Sequence, residues 1–397
     1  MSTPSPRSVD TPRIDFVRGD FWADNPHAGL AWLRANRPVC FDEASGAWGI
    51  TRYDHIREIS RSPEIFSSAN GIRPESGPVP MMIDMDDPAH WKRRKLVNKG
   101  FTPQRVRDLE ARITEIVDGL IDAVEDRERC DFVWDIAAWL PLIVIGDALG
   151  AEQRHHADLL WWSDDLMRGL GTADPELLAK MSAAFEEYRA YLVGVIEDRR
   201  VQARDDIISV LVHAEVDGDR FDDDELTFET LLILIGGDET TRHVITGGAY
   251  QLLSARANWD RLASDRSLLP SAVEEMLRWV TPIKNMARTA TRDVDFHGEL
   301  IHEGQKLVLL YPSANRDEDQ FPDPFLFDIE RSPNDHVAFG IGTHFCLGAS
   351  LARLELKVLF DQLLDRLPNL TLAEPGEPAS RPANFVSGYE TMPVILR

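Results

Sequence analysis

Apolar residues recur every three or four positions from about residue 104 to residue 280. This spacing is typical of amphipathic helices that bury one face. Near the amino terminus, residues 38–53 (PVCFDEASGAWGITRY) alternate apolar and polar positions on either side of Ser45 and Gly46, which predicts a β-hairpin. A second alternating stretch, 289–311, contains two glycine turns and predicts further strands. The chain is therefore predicted to be mostly α with small β-sheets, an α+β fold.

The segment 222–254 predicts one long helix through the middle of the protein. It opens with acidic residues, which suit a helix amino terminus, and then becomes apolar almost all round. Two adjacent glycines, Gly236 and Gly237, interrupt it, and each costs a helix interior roughly 1 kcal/mol relative to alanine. We therefore expect some group to approach the helix backbone closely at this point.

Two stretches lack a helix or strand pattern. Residues 65–88 are rich in Gly, Pro and Ser, which predicts a long loop of the kind that often carries function. Residues 1–13 are polar and proline-rich, without the apolar core of a signal peptide, and are predicted to be a disordered leader. No repeat or Ser/Gly linker divides the remainder, so residues 14–397 are predicted to form a single domain.

Composition narrows the possible partners and the compartment. The net charge of -24 argues against nucleic acid, whose backbone requires a basic surface. Three cysteines, scattered far apart, form neither a disulfide framework nor a zinc motif, so a reducing cytoplasm is expected. The longest apolar runs are shorter than the roughly 20 residues of a membrane span, and no stable membrane anchor is predicted.

Cys346, in HVAFGIGTHFCLGASLARLELKVLF (336–360), is the strongest candidate for chemistry. No GxSxG, GxxxxGK[ST] or HExxH motif competes with it. A lone cysteine is most often a buried structural residue, and a disulfide partner, a nucleophile or a metal ligand are the alternatives. The glycines around it supply backbone N–H groups, and the helix predicted after it points its positive dipole end at the sulfur. Both features favour a thiolate.

The stretch FGIGTHFCLG resembles the cysteine-ligand loop of the cytochrome P450 family, F-x-x-G-x-[HR]-x-C-x-G. The matching positions are Phe339, Gly342, His344, Cys346 and Gly348. The resemblance implies a cytochrome P450 fold, with a long central helix over the haem and the cysteine loop before a late helix. It also implies that Cys346 is the axial ligand of the iron of heme b (iron protoporphyrin IX).

Other parts of the chain resemble the same family in the expected order. The ExxR pattern occurs five times, but Glu275 and Arg278 lie about 70 residues before the cysteine, where the family has a structural network completed by an arginine, here Arg331. GGDETT at 236–241 resembles the oxygen-binding groove, with Glu239 and Thr240 as its acid–alcohol proton relay. The alternative role of Thr240 is a hydroxyl that bonds back to the carbonyl one turn earlier.

Further family positions imply contacts with the haem. The two propionates of haem need cationic partners in an apolar pocket. The corresponding residues in this chain are His90, Arg94, Arg288 and His344, while Gly236, Phe339 and Gly348 are also implied to contact the cofactor. For Arg94, a solvated basic surface is the alternative, because Lys92, Arg93 and Lys95 surround it.

Longer stretches narrow the substrate. Residues 80–103, 229–243, 282–291 and 381–394 resemble actinobacterial steroid monooxygenases that oxidise the terminal side-chain methyl of cholesterol and cholest-4-en-3-one, through alcohol and aldehyde to the carboxylic acid. Apolar side chains suited to a sterol are predicted to line the pocket, although each is as compatible with a place in the core. They are Ile72, Met81, Met82, Ile83, Leu234, Ile235, Val280, Ile283 and Val386.

The resemblance also implies the other reactants. They are O2 and electrons from NAD(P)H, passed through ferredoxin reductase and a ferredoxin. An acidic ferredoxin is expected to dock on the cysteine-side face of a monomer, at a basic patch of Arg93, Lys95, Lys99 and Arg353. Two alternatives stay open: the same chemistry on another terpenoid or a fatty acid, and a haem-thiolate sensor or sterol-binding protein without turnover.

Overall fold

The computed structural model describes residues 15–215, 218 and 220–397. The described helices are α1 (Gly19–Ala23), α2 (His27–Asn36), α3 (Tyr53–Ser60), α4 (Ala89–Val97), α5 (Pro103–Asp108), α6 (Glu110–Asp122), α7 (Trp139–Leu149), α8 (His156–Arg168), α9 (Pro175–Val201), α10 (Ile207–Val212), α11 (Asp223–Ser254), α12 (Arg256–Ser264), α13 (Leu269–Val280), α14 (Tyr311–Ala314) and α15 (Ala349–Arg366). The strands are β1 (Val39–Asp42), β2 (Ala47–Ile50), β3 (Phe66–Ser67), β4 (Arg129–Asp131), β5 (Asn285–Ala290), β6 (Val294–Phe296), β7 (Glu299–Ile301), β8 (Lys306–Leu310), β9 (Thr371–Leu372) and β10 (Pro393–Ile395).

The strands form three small sheets. The largest has the order β1-β2-β8-β5-β3, in which β2 and β8 run parallel and the other neighbours antiparallel. Strands β4, β10 and β9 form a second sheet, and β6 and β7 form a hairpin. The hairpin predicted over 38–53 is confirmed as β1 and β2, joined by a turn in which Gly46 has a φ of 68°. The prediction of a mostly helical α+β fold is confirmed.

Helix α11 begins where the acidic residues predict it. The Asp222 side chain accepts a hydrogen bond from the Glu225 backbone, and the Glu225 side chain accepts one from the Asp222 backbone. This reciprocal cap satisfies two backbone donors that a helix start otherwise leaves free. The helix continues for 32 residues, about 48 Å at 1.5 Å per residue.

Most of α11 is buried by other helices. Its sides pack against α7, α8, α9, α13 and α15, which explains why it is apolar almost all round. The cysteine-containing segment precedes α15 directly, so the fold brings that segment close to the middle of α11. The site is therefore built where these two helices face each other.

Three further expectations concern the ends and the surroundings of the chain. The leader predicted over residues 1–13 lies outside the described residues, and the single domain over 14–397 stays a prediction. The predicted loop over 65–88 contains only β3 and a short 3-10 turn, Met82–Asp84. Within the described part of the chain, no helix combines the length and the apolar character needed to cross a membrane.

Candidate active site

The loop around Cys346 is folded tightly by its glycines. Gly342 has a φ of 74°, and a Cβ at this position would lie 2.4 Å from the carbonyl oxygen of Ser60, so no other residue fits without a shift of the backbone. The backbone N–H of Cys346 donates to the carbonyl of Phe339 at 2.9 Å. Helix α15 begins at Ala349, three residues after the cysteine. The loop thus presents the sulfur close to the amino terminus of a long helix.

The surroundings of the thiol act on its pKa in opposite directions. Burial raises the pKa of Cys346 above its ordinary value. Hydrogen bonds from the backbone of Gly348 and Ala349, and the positive charges of Arg94 and Arg353, lower it but do not outweigh burial. The backbone N–H groups thus act in the predicted direction, towards a thiolate, while desolvation acts against it. A bound metal ion deprotonates a coordinating thiol outright.

Cys346 opens onto a large apolar cavity. The space free of protein atoms, including the part that opens to solvent, is about 1490 Å³. One wall is a stripe of α11, at helical spacing: Leu232, Ile233, Gly236, Gly237, Thr240, Thr241 and Val244. This mostly apolar lining suits an apolar cofactor or ligand.

Four basic side chains, two guanidinium groups and two imidazoles, line the cavity. They are His90, Arg94, Arg288 and His344. Arg288 is 6% exposed, and its side-chain hydrogen bond among the described residues goes to the carbonyl of Ala287 at 2.7 Å. The rings of His90 and His344 lie 4.2 Å apart, centre to centre. Burial, followed by the charges of Arg288, His90 and Arg94, lowers the pKa of His344 to about 3.

This cluster is short of negative charge. His90 Nδ1 lies 3.2 Å from Asp87 Oδ1, but Arg94 donates to a carbonyl, that of Phe345. Buried guanidinium groups are normally paired, so Arg94 and Arg288 fit an anionic ligand better than they fit solvent. The structure thus brings together the four basic side chains that the family resemblance implied.

Thr240 and Glu239 are neighbours in sequence but face different surroundings. Thr240 lies in the cavity wall, and its Oγ1 donates to the carbonyl of Gly236 at 2.9 Å, one turn earlier. Glu239 is fully buried and does not line the cavity. Its carboxylate pairs with Arg242 and, at 3.4 Å, with Arg381. These guanidinium groups hold the carboxylate away from the cavity wall, and the role of Glu239 in a proton relay stays a prediction.

Glu275, Arg278 and Arg331 form a buried network. Arg278 binds Glu275 through two nitrogens, each at 2.7 Å, and Arg331 Nε lies 3.1 Å from Glu275 Oε2. Arg278 also donates to the carbonyls of Asn315 and Pro324, which ties α13 to the segment leading into the cysteine loop. The network lies outside the cavity wall and supports it from behind.

Comparison with known proteins agrees with this geometry. Residues 161–378 match the family model described as Cytochrome P450. The chain is 52% identical over 387 residues to the Steroid C26-monooxygenase of Mycolicibacterium smegmatis, covering 97% of this chain and 96% of that protein. This chain belongs to the cytochrome P450 family. It is a haem-dependent monooxygenase that receives electrons for the reduction of O2.

This cytochrome P450 is also similar to a lipid hydroxylase and to a solved steroid complex. It is 38% identical to the Methyl-branched lipid omega-hydroxylase of Mycobacterium tuberculosis, over 99% of this chain and 96% of that protein. A solved cytochrome P450 from Bacillus megaterium in complex with testosterone superimposes with a TM-score of 0.87 at 34% identity, covering 95% of this chain and 99% of that one. The predicted cytochrome P450 fold is confirmed.

The residues of this cytochrome P450 fit haem. An apolar cavity with a thiol in one wall and basic side chains in another matches an iron porphyrin with two carboxylates. Gly236, Phe339 and Gly348, whose contact with the cofactor was predicted, all lie in the cavity wall. Cys346 would hold the iron, and the four basic side chains would contact the propionates.

The residues predicted for the substrate pocket divide between the cavity wall and its surroundings. Ile72, Met82, Ile83 and Ile283 line the cavity, whereas Ile235 and Val386 pack in the same apolar cluster without lining it. Met81, Leu234 and Val280 pack in or against the core and do not line the cavity. Contact of any of them with a substrate stays a prediction. Because α11 is apolar on all sides, its sequence does not distinguish the core-facing side chains from the cavity-facing ones.

Several residues of the cavity wall were not predicted from the sequence. Leu232, Ile233 and Met286 line the cavity, and stepping along α11 at helical spacing from Thr240 would have identified the first two. Among the described residues, Glu355 on α15 is the one carboxyl group that lines the cavity. Burial raises its pKa well above the ordinary value. A single carboxyl group within the apolar face of α15 is the signal that could have revealed it.

Proposed function

We propose that this cytochrome P450 hydroxylates the terminal side-chain methyl of cholesterol or cholest-4-en-3-one and carries it on to the carboxylic acid, in steroid side-chain catabolism. The observation that supports this proposal most directly is the 52% identity to a Steroid C26-monooxygenase across nearly the whole chain. The cavity wall supports it independently, since aliphatic and thioether side chains dominate the wall away from the cysteine and suit a long hydrocarbon ligand.

In this proposal the chain holds haem through two kinds of contact. Cys346 Sγ would bind the iron, Arg94 and Arg288 would neutralise the propionates, and His90 and His344 would donate hydrogen bonds to them. When bound, haem iron supplies the activation of dioxygen. Phe339 and Leu347 line the same cavity as Cys346, so the surroundings of the sulfur are largely apolar.

Thr240 is the proposed donor of protons within the cavity. Its hydroxyl faces the cavity and is held there by the bond to the Gly236 carbonyl. Glu239 is proposed as the acid behind it, since its Oε1 is buried without a hydrogen-bond partner among the described residues. To pass a proton to Thr240, the Glu239 carboxyl group must rotate away from Arg242. Glu355, which already faces the cavity, is the second candidate for the acid.

Variants separate these two acids. We expect Thr240→Ala to consume reduced cofactor without forming the equivalent amount of product. If Glu239 is the acid, Glu239→Gln shares this uncoupling and Glu355→Gln does not. The opposite pattern transfers the role to Glu355, and full coupling in Thr240→Ala rules out the threonine.

A methyl-branched lipid is the second candidate substrate. The relative from Mycobacterium tuberculosis supports it, because that protein, 38% identical to this one, is a Methyl-branched lipid omega-hydroxylase. Both candidates present a branched terminal methyl group at the end of a long apolar body, which the same cavity can accept.

Titration of the purified ferric protein separates the two substrates. We expect cholest-4-en-3-one to shift the Soret band and long-chain fatty acids to shift it less. Product analysis with a surrogate ferredoxin and ferredoxin reductase then identifies the oxidised carbon. The absence of a sterol-induced shift, combined with a shift by a branched fatty acid, would overturn the sterol assignment in favour of the lipid.

We also propose that a ferredoxin supplies electrons, drawing on NAD(P)H through its reductase, and that it docks on the cysteine-side face of a cytoplasmic monomer. The predicted basic patch is smaller than expected, because Arg93 pairs with Glu225 and Glu229, and Arg353 pairs with Glu274. Lys95 lies over the exposed Trp91 at 4.9 Å, and Lys99 is exposed. We expect Lys95→Glu to slow reduction by an acidic ferredoxin but not by dithionite, and equal slowing of both would refute this docking face.

A further inference from the structure

Arg93 joins three separate parts of the chain. It lies on α4, one residue before Arg94, but unlike Arg94 it does not line the cavity. Its Nη1 donates to the carbonyl of Pro80 at 3.1 Å and to Glu229 Oε1 at 3.0 Å, and its Nη2 donates to Glu225. The side chain is 15% exposed. One guanidinium therefore links the 65–88 loop, α4 and α11.

The carboxylate that receives Arg93 is deeply buried. Glu229 is 0% exposed, and its Oε2 has no hydrogen-bond partner among the described residues. Burial raises the pKa of Glu229 to about 7, although Arg93 and the backbone of Met82 act in the opposite direction. A protein keeps a carboxyl group in such surroundings only at a cost in stability. This cost suggests that the contact serves a purpose other than stability.

The loop segment bound by Arg93 leads directly into the cavity wall. Pro80 is followed by the turn Met82–Asp84, and both Met82 and Ile83 line the cavity. Asp84 holds the base of the loop by accepting the backbone N–H groups of Ile72 at 2.9 Å and Val79 at 2.8 Å. Asp84 thus fixes the ends of the loop, while Arg93 and Glu229 fix its position relative to α11.

Among the described residues, no other charged side chain connects the Pro80–Ile83 segment to α11. The remaining contacts are apolar: Met81 and Met82 pack in a cluster with Leu231 and Leu234 of α11. Methionine side chains are flexible and fill irregular space, so by themselves they define a wall poorly. A directional anchor is needed to give the wall a single position.

We propose that Arg93 and Glu229 are positioning residues for the ligand: they fix the Pro80–Ile83 segment against α11 and so determine how closely the cavity wall holds a long apolar substrate. The inference rests on the proposed function in that it takes a ligand with a terminal methyl group. A ligand of this shape offers few polar groups to direct it, so the position of its end is set by the shape of the wall. With the wall held, the terminal carbon is presented for oxidation. If the wall is released, the hydrocarbon chain of the substrate slides and its inner carbons are presented for oxidation as well.

Helix α11 offers a matched control for the anchor. Asp224 lies on the same helix, five residues before Glu229, and also pairs with an arginine, Arg189 Nη2 at 2.8 Å. Both partners of this control pair are exposed, and neither lines the cavity. Glu229→Gln and Asp224→Asn therefore each replace a carboxyl group of one helix by the matching amide, but only the first weakens the hold on the loop.

The test measures ligand affinity and product position in the haem-loaded protein. The variants are Arg93→Met, Arg93→Lys, Glu229→Gln and Asp224→Asn, each checked for an intact thiolate-type carbon monoxide spectrum. For Arg93→Met we expect the dissociation constant of the sterol to rise about tenfold, as for the loss of a charge-assisted hydrogen bond. We also expect products oxidised at inner carbons. Glu229→Gln should show a smaller change in the same direction, Arg93→Lys partial recovery, and Asp224→Asn none.

Product position is the decisive measurement, because a merely structural role would lower stability without moving the site of oxidation. If Arg93→Met matches Asp224→Asn in both affinity and product position, the inference is wrong. Failure of the proposed function is recognised separately, since it appears as a wild-type protein that does not bind the sterol. In that case the same variants are compared with the branched fatty acid that the wild type binds, and the same two outcomes decide.

Discussion

The two adjacent glycines of α11 should respond in opposite ways to the same substitution. A Cβ added at Gly237 would lie 2.7 Å from Ile145 Cγ1 and 3.0 Å from Ile145 Cδ1, a contact with a packed core side chain of α7. A Cβ added at Gly236 would meet no protein atom within 4 Å, because it projects into the cavity. Packing against α7 therefore constrains Gly237, whereas the space of the cavity constrains Gly236.

The magnitudes follow from this difference. Replacing glycine by alanine in a helix interior gains about 1 kcal/mol at both positions. At Gly237 the added methyl also overpacks the core, which typically costs about 1–3 kcal/mol. The helix term cancels in the comparison, so Gly237→Ala should be less stable than Gly236→Ala by about 1–3 kcal/mol. At Gly236 the methyl instead occupies space beside Thr240, where dioxygen and substrate are proposed to bind.

Two assays test both halves of this prediction. Urea unfolding of the haem-loaded variants, followed by circular dichroism, gives the difference in unfolding free energy. Carbon monoxide association after flash photolysis reports access to the iron. We expect Gly237→Ala to lose stability with nearly normal carbon monoxide binding, and Gly236→Ala to bind carbon monoxide more slowly. Equal stabilities, or slower binding only in Gly237→Ala, would refute the assignment of the two glycines.

Three other predictions follow from the site. Cys346→His should abolish the thiolate-type carbon monoxide spectrum, and an unchanged spectrum would remove Cys346 as the iron ligand. Glu275→Gln should lower the unfolding free energy by about 3–5 kcal/mol, because it leaves buried guanidinium groups without a counter-charge. The exposed control Glu330→Gln should change it by less than about 1 kcal/mol, and equal effects in thermal unfolding would contradict the buried network. Because burial raises the pKa of Glu229 from 4.5 to about 7, its contribution to stability is present below the lower value and is lost as the pH rises through the higher one. At about 1.4 kcal/mol per pH unit the loss is on the order of 3 kcal/mol. Denaturant titrations at pH 5 and pH 8 should therefore show a weaker pH dependence in Glu229→Gln, and an unchanged dependence would rule out this titration.

The sequence by itself determined the elements and the chemistry that depend on local patterns. The acidic start of α11 predicted its first residue within one position, because a capping box is a local arrangement of side chain and backbone. The glycines around Cys346 identified the cysteine loop, since positive φ angles and close backbone contacts exclude other residues at defined spacings. Motifs of this kind can be recognised without the tertiary structure because their interacting residues lie within a few positions of one another.

Only the tertiary structure decided which side chains face the cavity and which charges are available. Core and cavity are both apolar, so the periodicity of α11 did not separate Leu234, which packs in the core, from Ile233, which lines the cavity. The same holds for charges, since Glu239 and Arg93 are recruited by partners more than a hundred residues away. Such pairings depend on how helices pack against one another, and that packing is set by the whole chain rather than by the residues around each charge.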